Sequence, residues 1–338
     1  MINVLTLLIL GCVVCLPVIT ANTTLVDGIY WSEQVERWMP RGYPDSYIDK
    51  WRKFVNESRV VKVEEGCGRM QNRYVILEGG VSACCRYRQN NDQIQGEIFS
   101  YYLSQLLRLE NLPPTVLSMV NGHSHRWNGV SNQLSLAQWT NDRPVVLTKF
   151  VDGLVPAYIP TQFRTKNRRL HPIDDDLKGR SRQDVVELVQ WSDLILFDYL
   201  TANLDRVVNN MYNEQWNSEM MRSPAHNLAK CRRSGLLIFL DNESGLVHGY
   251  RLLDKYEQFH RSLLDSLCVF RRRTAESIKK LRHRSTLDAL LKRSFQNEGS
   301  SVTEWLPYLP EKTLRTLQQR MDTVYKHIRK CDKRYRLV

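Results

Sequence analysis

The spacing of apolar and polar positions changes repeatedly along the chain, and each change marks a different kind of element. Arg59-Val-Val-Lys-Val63 alternates β-branched and charged residues, Tyr74-Val-Ile-Leu77 is a short apolar run, and Val81 to Tyr87 follows as another. Glycine turns at Glu65-Gly-Cys-Gly68 and Glu78-Gly-Gly80 separate them, so the pattern predicts a meander of three antiparallel strands. From Asp92 the period becomes helical. Ile94, Ile98, Tyr101, Tyr102, Leu106 and Leu109 recur at helical spacing, Asp92 is a suitable N-cap, and Pro113-Pro114 ends the element. Strand-like sequence returns at Val116 to Val120 and Pro144 to Val151.

The polar, basic stretch from Arg164 to Arg182 predicts a loop, the best place for an insertion or a mobile segment. Asp184 to Leu204 then carries the strongest helical pattern, with Val185, Leu188, Val189, Leu194, Phe197 and Leu200 on one face. Gly235-Leu-Leu-Ile-Phe-Leu240 is too short for a helix and predicts a buried strand that delivers Asp241 to a cleft. Most of the chain from Arg251 to Val324 is helical in pattern. Before the first strand, Pro40 and Pro44 interrupt Asp27 to Asn56, which predicts an irregular arm around the core. The architecture expected is α+β: an N-terminal arm over 22–58, a small β-rich lobe over 59–151 and a larger, mostly helical lobe over 152–338.

Composition narrows the class. At 338 residues, 42% apolar and 25% charged, the chain can bury a real core, which excludes collagen, low-complexity disorder and a polytopic membrane protein. A formal net charge of +12 attracts anions. The basic residues, however, are scattered along helical stretches such as Phe270 to Leu291 without interleaved stacking aromatics, so nucleic acid is not an expected partner. No charged side chain precedes Asp27. The apolar stretch Val4 to Ile19 has the length of a signal-peptide core and falls short of a membrane span of about 20 residues. Residues 1–21 are therefore expected to be a signal peptide or signal anchor, and an N-terminal anchor is the only membrane contact expected.

Of eight cysteines, Cys12 and Cys15 lie in that leader, which leaves Cys67, Cys84, Cys85, Cys231, Cys268 and Cys331. Their spacing does not suit zinc, and a secretory placement favours disulfides, whose pairing spacing alone does not choose. Sequons at Asn22 and Asn56 lie in polar surroundings suited to glycosylation, whereas Asn242 follows an apolar run and is expected to be buried and bare.

Phosphoryl transfer needs a metal-holding acid, a carboxylate at the incoming hydroxyl, a cation on the nucleotide phosphates and an acid that orients that cation. The chain supplies them in kinase order. Gly66-x-Gly68 offers a glycine loop, Arg86 a cation in the third strand, and Glu97 an acid in the following helix. Asp205 and Asn210 then show the D-x-x-x-x-N spacing in which the Asp accepts the substrate proton and the Asn holds a metal. Asp241 ends the buried strand, where a kinase carries its metal-binding Asp. Lys149 imitates a kinase lysine motif but follows Glu97, which is the wrong order. No serine-hydrolase elbow occurs, since Gly80-Val-Ser-Ala-Cys84 fails at its last position, and His123-Ser-His125 reads as a solvated loop.

Phe197-Asp-Tyr-Leu-Thr-Ala-Asn-Leu-Asp-Arg206 resembles a segment of the secretory-pathway kinases typified by the Golgi casein kinase. More closely, Gln93-Ile-Gln-Gly-Glu-x-x-Ser-Tyr-Tyr-Leu103, Val189-Gln-Trp-x-Asp-Leu-Ile-Leu-Phe-Asp-Tyr-Leu200 and Phe239-Leu-Asp-Asn-Glu-x-Gly-Leu-Val-His-Gly-Tyr-Arg251 resemble the four-jointed box proteins. The resemblance runs from about Gly28 to Cys331 and includes Arg86 in Ala-Cys-x-Arg-Tyr. It implies an atypical protein-kinase-like fold and a Golgi-lumenal, type II or secreted serine/threonine kinase, using ATP with Mn²⁺ or Mg²⁺. The implied substrates are the extracellular cadherin repeats of the giant protocadherins Fat and Dachsous, with effects on adhesion and planar polarity. Asp205 would be the base, Asp241 a metal ligand, and Glu97 the helix acid that pairs with Arg86 or reaches the metal. The resemblance also favours a Cys268–Cys331 disulfide. Cys67, in the glycine turn, and Cys84, on the strand face of Arg86, are the second candidate pair, while Cys85 stays free or finds Cys231. The alternative is a catalytically inactive kinase fold that serves as a lumenal binding or allosteric protein.

Overall fold

Pro40 and Pro44 do not leave the arm irregular. A computed structural model describes residues 24–336, and in it the arm folds into helices α1 (Glu33–Trp38) and α2 (Asp45–Glu57). Pro44 stands at the N-cap of α2, where its missing N–H breaks no intrahelical bond. Trp51 and Val55 on the buried face of α2 join the core of the sheet that follows. The leader 1–21 and the Asn22 sequon lie outside the described residues. No described helix is long and apolar enough to cross a membrane. Asn56 is exposed near the end of α2, whereas Asn242 is buried, as its surroundings suggested.

The meander forms as expected, from β1 (Val60–Glu65), β2 (Arg73–Leu77) and β3 (Ser82–Tyr87). Helix α3 (Asn91–Leu106) follows, capped by Asn90 rather than Asp92, because the Asn90 side chain accepts from the Asp92 N–H. After β4 (Thr115–Val120) and the short helix α4 (Ser131–Leu136), β5 (Arg143–Lys149) inserts beside β3. The result is a five-stranded antiparallel sheet in the order β1-β2-β3-β5-β4. Alternation along β3 buries Ala83, Cys85 and Tyr87 on one face, which turns Cys84 and Arg86 to the other. That face borders the cleft.

The second lobe opens with β6 (Leu154–Tyr158). Residues 164–182 are packed rather than loose, contrary to their polar composition. Leu170 and Leu177 are fully buried, Leu170 N donates to the Ser266 carbonyl at 2.8 Å, and buried Asp176 accepts from His171 N at 2.8 Å and Arg169 Nε at 3.0 Å. Two apolar anchors and internal charge pairing hold a stretch whose average is polar. Helix α5 (Arg182–Thr201) starts slightly earlier than its apolar pattern, since Ser181 and Asp184 form a capping box. It is buried on nearly every side and forms the axis of the lobe.

Helix α6 (Val207–Asn213) comes next, then the hairpin of β7 (Pro224–Cys231) and β8 (Leu237–Phe239), which with β6 makes a three-stranded sheet. The expected strand at 235–240 is thus shorter but ends beside Asp241. Four long helices complete the lobe: α7 (Leu253–Asp265), α8 (Arg272–Leu281), α9 (Arg284–Gln296) and α10 (Glu311–Tyr335).

Both expected disulfides are present. Cys67 joins Cys84, and Cys268 joins Cys331 across a sequence separation of 63, while Cys85 and Cys231 are free thiols. The Cys268–Cys331 bond ties α10 to the end of α7, where His327 also meets the Leu267 carbonyl at 2.6 Å. In the chain-entropy account, closing a loop of that length stabilises by roughly 4 kcal/mol. The Cys268→Ser, Cys331→Ser double variant should therefore lose stability on that scale and secrete poorly, with the rate per folded molecule kept. Thermal unfolding reads the loss, and peptide mapping without reductant reads the linkage; a dominant Cys268 bond to another cysteine would refute the staple.

Candidate active site

Between the two sheets lies a cavity of about 300 Å³. Leu112, Phe150, Leu154 and Phe239 make its apolar wall, and Gly68, Arg86, Glu97, Lys149, Asn227 and Asp241 supply its chemistry.

The loop between β1 and β2 is built for tight reversal: Gly66, Cys67 and Gly68 have φ of 152°, 62° and 86°. A Cβ on Gly68 would meet nothing within 4 Å, so the backbone conformation, not space, favours glycine there. Gly68 lines the cavity. Gly66 does not, and packs instead against Tyr74 at the start of the turn. The Cys67–Cys84 disulfide fastens this loop to β3, and Asn72 Nδ2 donates to the Cys67 carbonyl at 2.7 Å.

Helix α3 brings Glu97 in from the other side. A Cβ at Gly96 would come within 2.5 Å of the Glu243 carbonyl oxygen, so only glycine lets the helix approach this closely. As a result Glu97 Oε2 accepts from the Asn242 N–H at 2.6 Å. Arg86 joins the segments: Nη1 lies 2.8 Å from Glu243 Oε2 and 3.0 Å from Asp241 Oδ1, and Nε lies 3.5 Å from Glu97 Oε2. Burial works against the charge on Arg86, but Glu97, Asp241 and Glu243 outweigh it and hold the guanidinium pKa above its ordinary value. Burial pushes the Glu97 carboxyl up, while Arg86 pulls it back.

Glu243 is a second hub, also taking Arg88 Nε at 2.7 Å and Arg69 Nη1 at 2.8 Å. Arg69 Nη2 stands 3.9 Å from Asp205 Oδ2. Three guanidiniums thus face the four carboxylates of Glu97, Asp205, Asp241 and Glu243, and the Lys149 ammonium lines the same cavity. Asp241 Oδ1, though close to Arg86, accepts no well-directed hydrogen bond. An oxygen-only donor set with one carboxylate oxygen unsatisfied fits a hard divalent cation.

Asp205 follows α5 through a turn in which its N–H donates to Asn203 Oδ1 at 3.0 Å. Its pKa is raised, first by burial and then by the charge of Asp241, with Asn227 and Arg69 pulling it down. A carboxylate moved toward neutrality is a better proton acceptor. Fully buried Arg206 locks the turn: it pairs with Asp198, donates to the Leu240 carbonyl at 2.9 Å and the Asn227 carbonyl at 3.2 Å, and reaches Asn242. Burial drives Asp198 up to about 6 against the pull of Arg206.

Asn210 does not reach this cleft. The residues after Arg206 coil into α6, which turns Asn210 to a fully buried face where Nδ2 donates to the Met220 carbonyl at 2.7 Å. The place beside Asp205 belongs to Asn227, whose Nδ2 lies 2.8 Å from Asp205 Oδ2. Lys149 does line the cavity, its ammonium donating to the Phe150 carbonyl at 3.3 Å. His123 and His125 are exposed, as expected of a solvated loop.

Arg86→Ala should weaken nucleotide binding by about 10- to 100-fold, the scale of losing charge-assisted hydrogen bonds worth about 1.5–3 kcal/mol. Arg86→Lys should keep part of the affinity, because a compact ammonium retains the charge but not the fork. Calorimetric titration with ADP checks this, and unchanged affinity in Arg86→Ala would move the phosphate cation to Lys149.

Residues 46–334 match the four-jointed box protein middle domain. The extracellular serine/threonine protein kinase four-jointed of Drosophila melanogaster is 42% identical, over 90% of this chain and 60% of its own length. The chain therefore spans less than two thirds of that relative. Four-jointed box protein 1 of Xiphophorus maculatus is 40% identical over 91% of this chain and 72% of its own. Among solved structures, the Golgi casein kinase with Mn and ADP bound superposes with a TM-score of 0.54 at 14% identity, over 85% of this chain and 77% of that one. That likeness shows a kinase-like α+β fold, with the β-rich lobe first and the helical lobe second.

Proposed function

The chain belongs to the four-jointed box protein family, and from that membership and the chemistry of the cleft we propose that it is a secretory-pathway protein serine/threonine kinase. It transfers the γ-phosphoryl group of ATP to extracellular cadherin repeats of the Fat and Dachsous type, and so tunes their adhesion and planar-polarity signalling. The leader-like stretch 1–21 goes with a Golgi-lumenal, type II anchored or secreted protein, and exposed Asn56 with a glycan acceptor.

The supporting observation is convergence: Arg86 from β3, Glu97 from α3 and Asp241 after β8 line one cavity with an apolar wall, and Asp205 after α5 stands next to it, tied to the lining residue Asn227 and within the electrostatic reach of Asp241. The wall takes the adenine, and Arg86 holds the phosphates by its charge. Asp205 accepts the proton of the seryl or threonyl hydroxyl as its oxygen bonds to the γ-phosphorus. The bond from that phosphorus to the β–γ bridging oxygen breaks, and ADP carries the electron pair away. Glu97 and Asp241 would hold Mn²⁺ or Mg²⁺, which when bound supplies positive charge against the phosphate oxygens.

Incubating the purified chain with labelled ATP, Mn²⁺ and a cadherin repeat tests the proposal. Label on a serine or threonine of the repeat is the expected result. Nucleotide binding with no transfer to any acceptor would leave the binding-protein alternative.

A further inference from the structure

The sheet register carries β7 past its last pair with β8, Leu228 opposite Phe239, to Asn227, whose carbonyl accepts the Leu240 N–H at 3.0 Å. Asn227 is thus the backbone neighbour of the residue just before Asp241. At this point the strand kinks, since Asn227 has φ of 52°, a left-handed conformation that asparagine tolerates better than most residues. The kink swings its side chain onto the turn after α5. There Nδ2 donates to Asp205 Oδ2 at 2.8 Å and lies 3.3 Å from the Asp205 carbonyl oxygen. The same residue's carbonyl takes Arg206 Nε at 3.2 Å. Asp205 Oδ1 accepts no hydrogen bond from the described residues.

We propose that Asn227 is the positioning residue of the catalytic base: its amide grips one oxygen of Asp205, leaves the other for the substrate hydroxyl, and fixes both to the strand end that carries Asp241. The inference rests on the kinase reading above. Spacing alone gave Asn210 a metal, and Asn210 turns away into α6; Asn227 reaches the base instead, from a different element 22 positions beyond Asp205. Its side chain touches the base rather than the reacting atoms, so it acts through orientation. Misplacement of a catalytic group by about 1 Å costs on the order of 10²-fold in rate.

The left-handed backbone makes glycine the clean substitution, because Asn227→Gly removes the amide without straining the chain. This variant should lose about 10- to 100-fold in kcat while KM for ATP and the melting temperature stay near wild type. Asn227→Asp keeps the backbone but replaces the donor with a charge facing Asp205, and should be at least as slow. In an Asp205→Ala background, Asn227→Gly should cost nothing further, since its effect passes through the base. A Gly variant as fast as wild type overturns the inference. So does one that loses melting temperature and ATP affinity along with rate, or an undiminished effect of Asn227→Gly on residual activity when Asp205 is gone. An inactive wild-type chain would instead overturn the kinase reading, and this inference with it.

Discussion

Asp241→Asn should abolish measurable phosphoryl transfer, a loss of at least about 10³-fold, in a chain that still folds and is secreted. A divalent cation contributes several kcal/mol of transition-state charge stabilisation, and each 1.4 kcal/mol or so is tenfold in rate. Removing one carboxylate from the group that would hold it takes away most of that contribution. Folding should survive for two reasons. Asp241 has φ of 50°, which asparagine adopts at least as readily as aspartate, so the turn after β8 is not strained by the change. Arg86 also keeps Glu97 and Glu243 as partners, so its buried charge is not orphaned. Transfer of labelled phosphate, secreted yield and melting temperature measured together check the prediction. Full activity in Asp241→Asn would remove this residue from the metal site, and loss of yield would make its role structural.

The parts of this site that were legible in the sequence are those fixed by local periodicity. Alternation along β3 put Arg86 and Cys84 on one face and Cys85 on the other, and burial bears that out. Helical spacing after the meander carried Glu97, and the short apolar run before Asp241 marked a strand end. What was not legible depends on contacts between distant segments. Glu243 collects Arg69, Arg86 and Arg88 from the other lobe, and no spacing rule connects them. Asn210 shows the opposite failure: its spacing from Asp205 says nothing about whether the intervening chain is extended or helical, and here it coils into α6. A signal for Asn227 did exist. In Ala225-His-Asn-Leu-Ala229 an asparagine, a poor strand former, stands within a strand, which hints at a left-handed kink. The two prolines of the arm predict breaks, yet one of them only marks where α2 begins.

Asp205→Ala should lower the rate by about 10²- to 10⁴-fold, the usual contribution of a positioned general base, and leave nucleotide affinity within a few fold of wild type. The asymmetry follows from geometry. Arg86, Glu97 and Asp241 form one cluster without Asp205, so the groups assigned to phosphates and cation keep their partners in the variant. Asp205 is tied elsewhere, to Asn227 at 2.8 Å and more distantly to Arg69, neither of which depends on it for burial of a charge: Asn227 is neutral, and Arg69 is half exposed and retains Glu243. Truncation therefore removes the proton acceptor without leaving a buried charge unpaired, and the fold should tolerate it. Single-turnover transfer to a cadherin repeat measures the rate, and ADP titration in the same buffer measures affinity. Loss of both in proportion would mean that Asp205 holds nucleotide rather than the incoming hydroxyl.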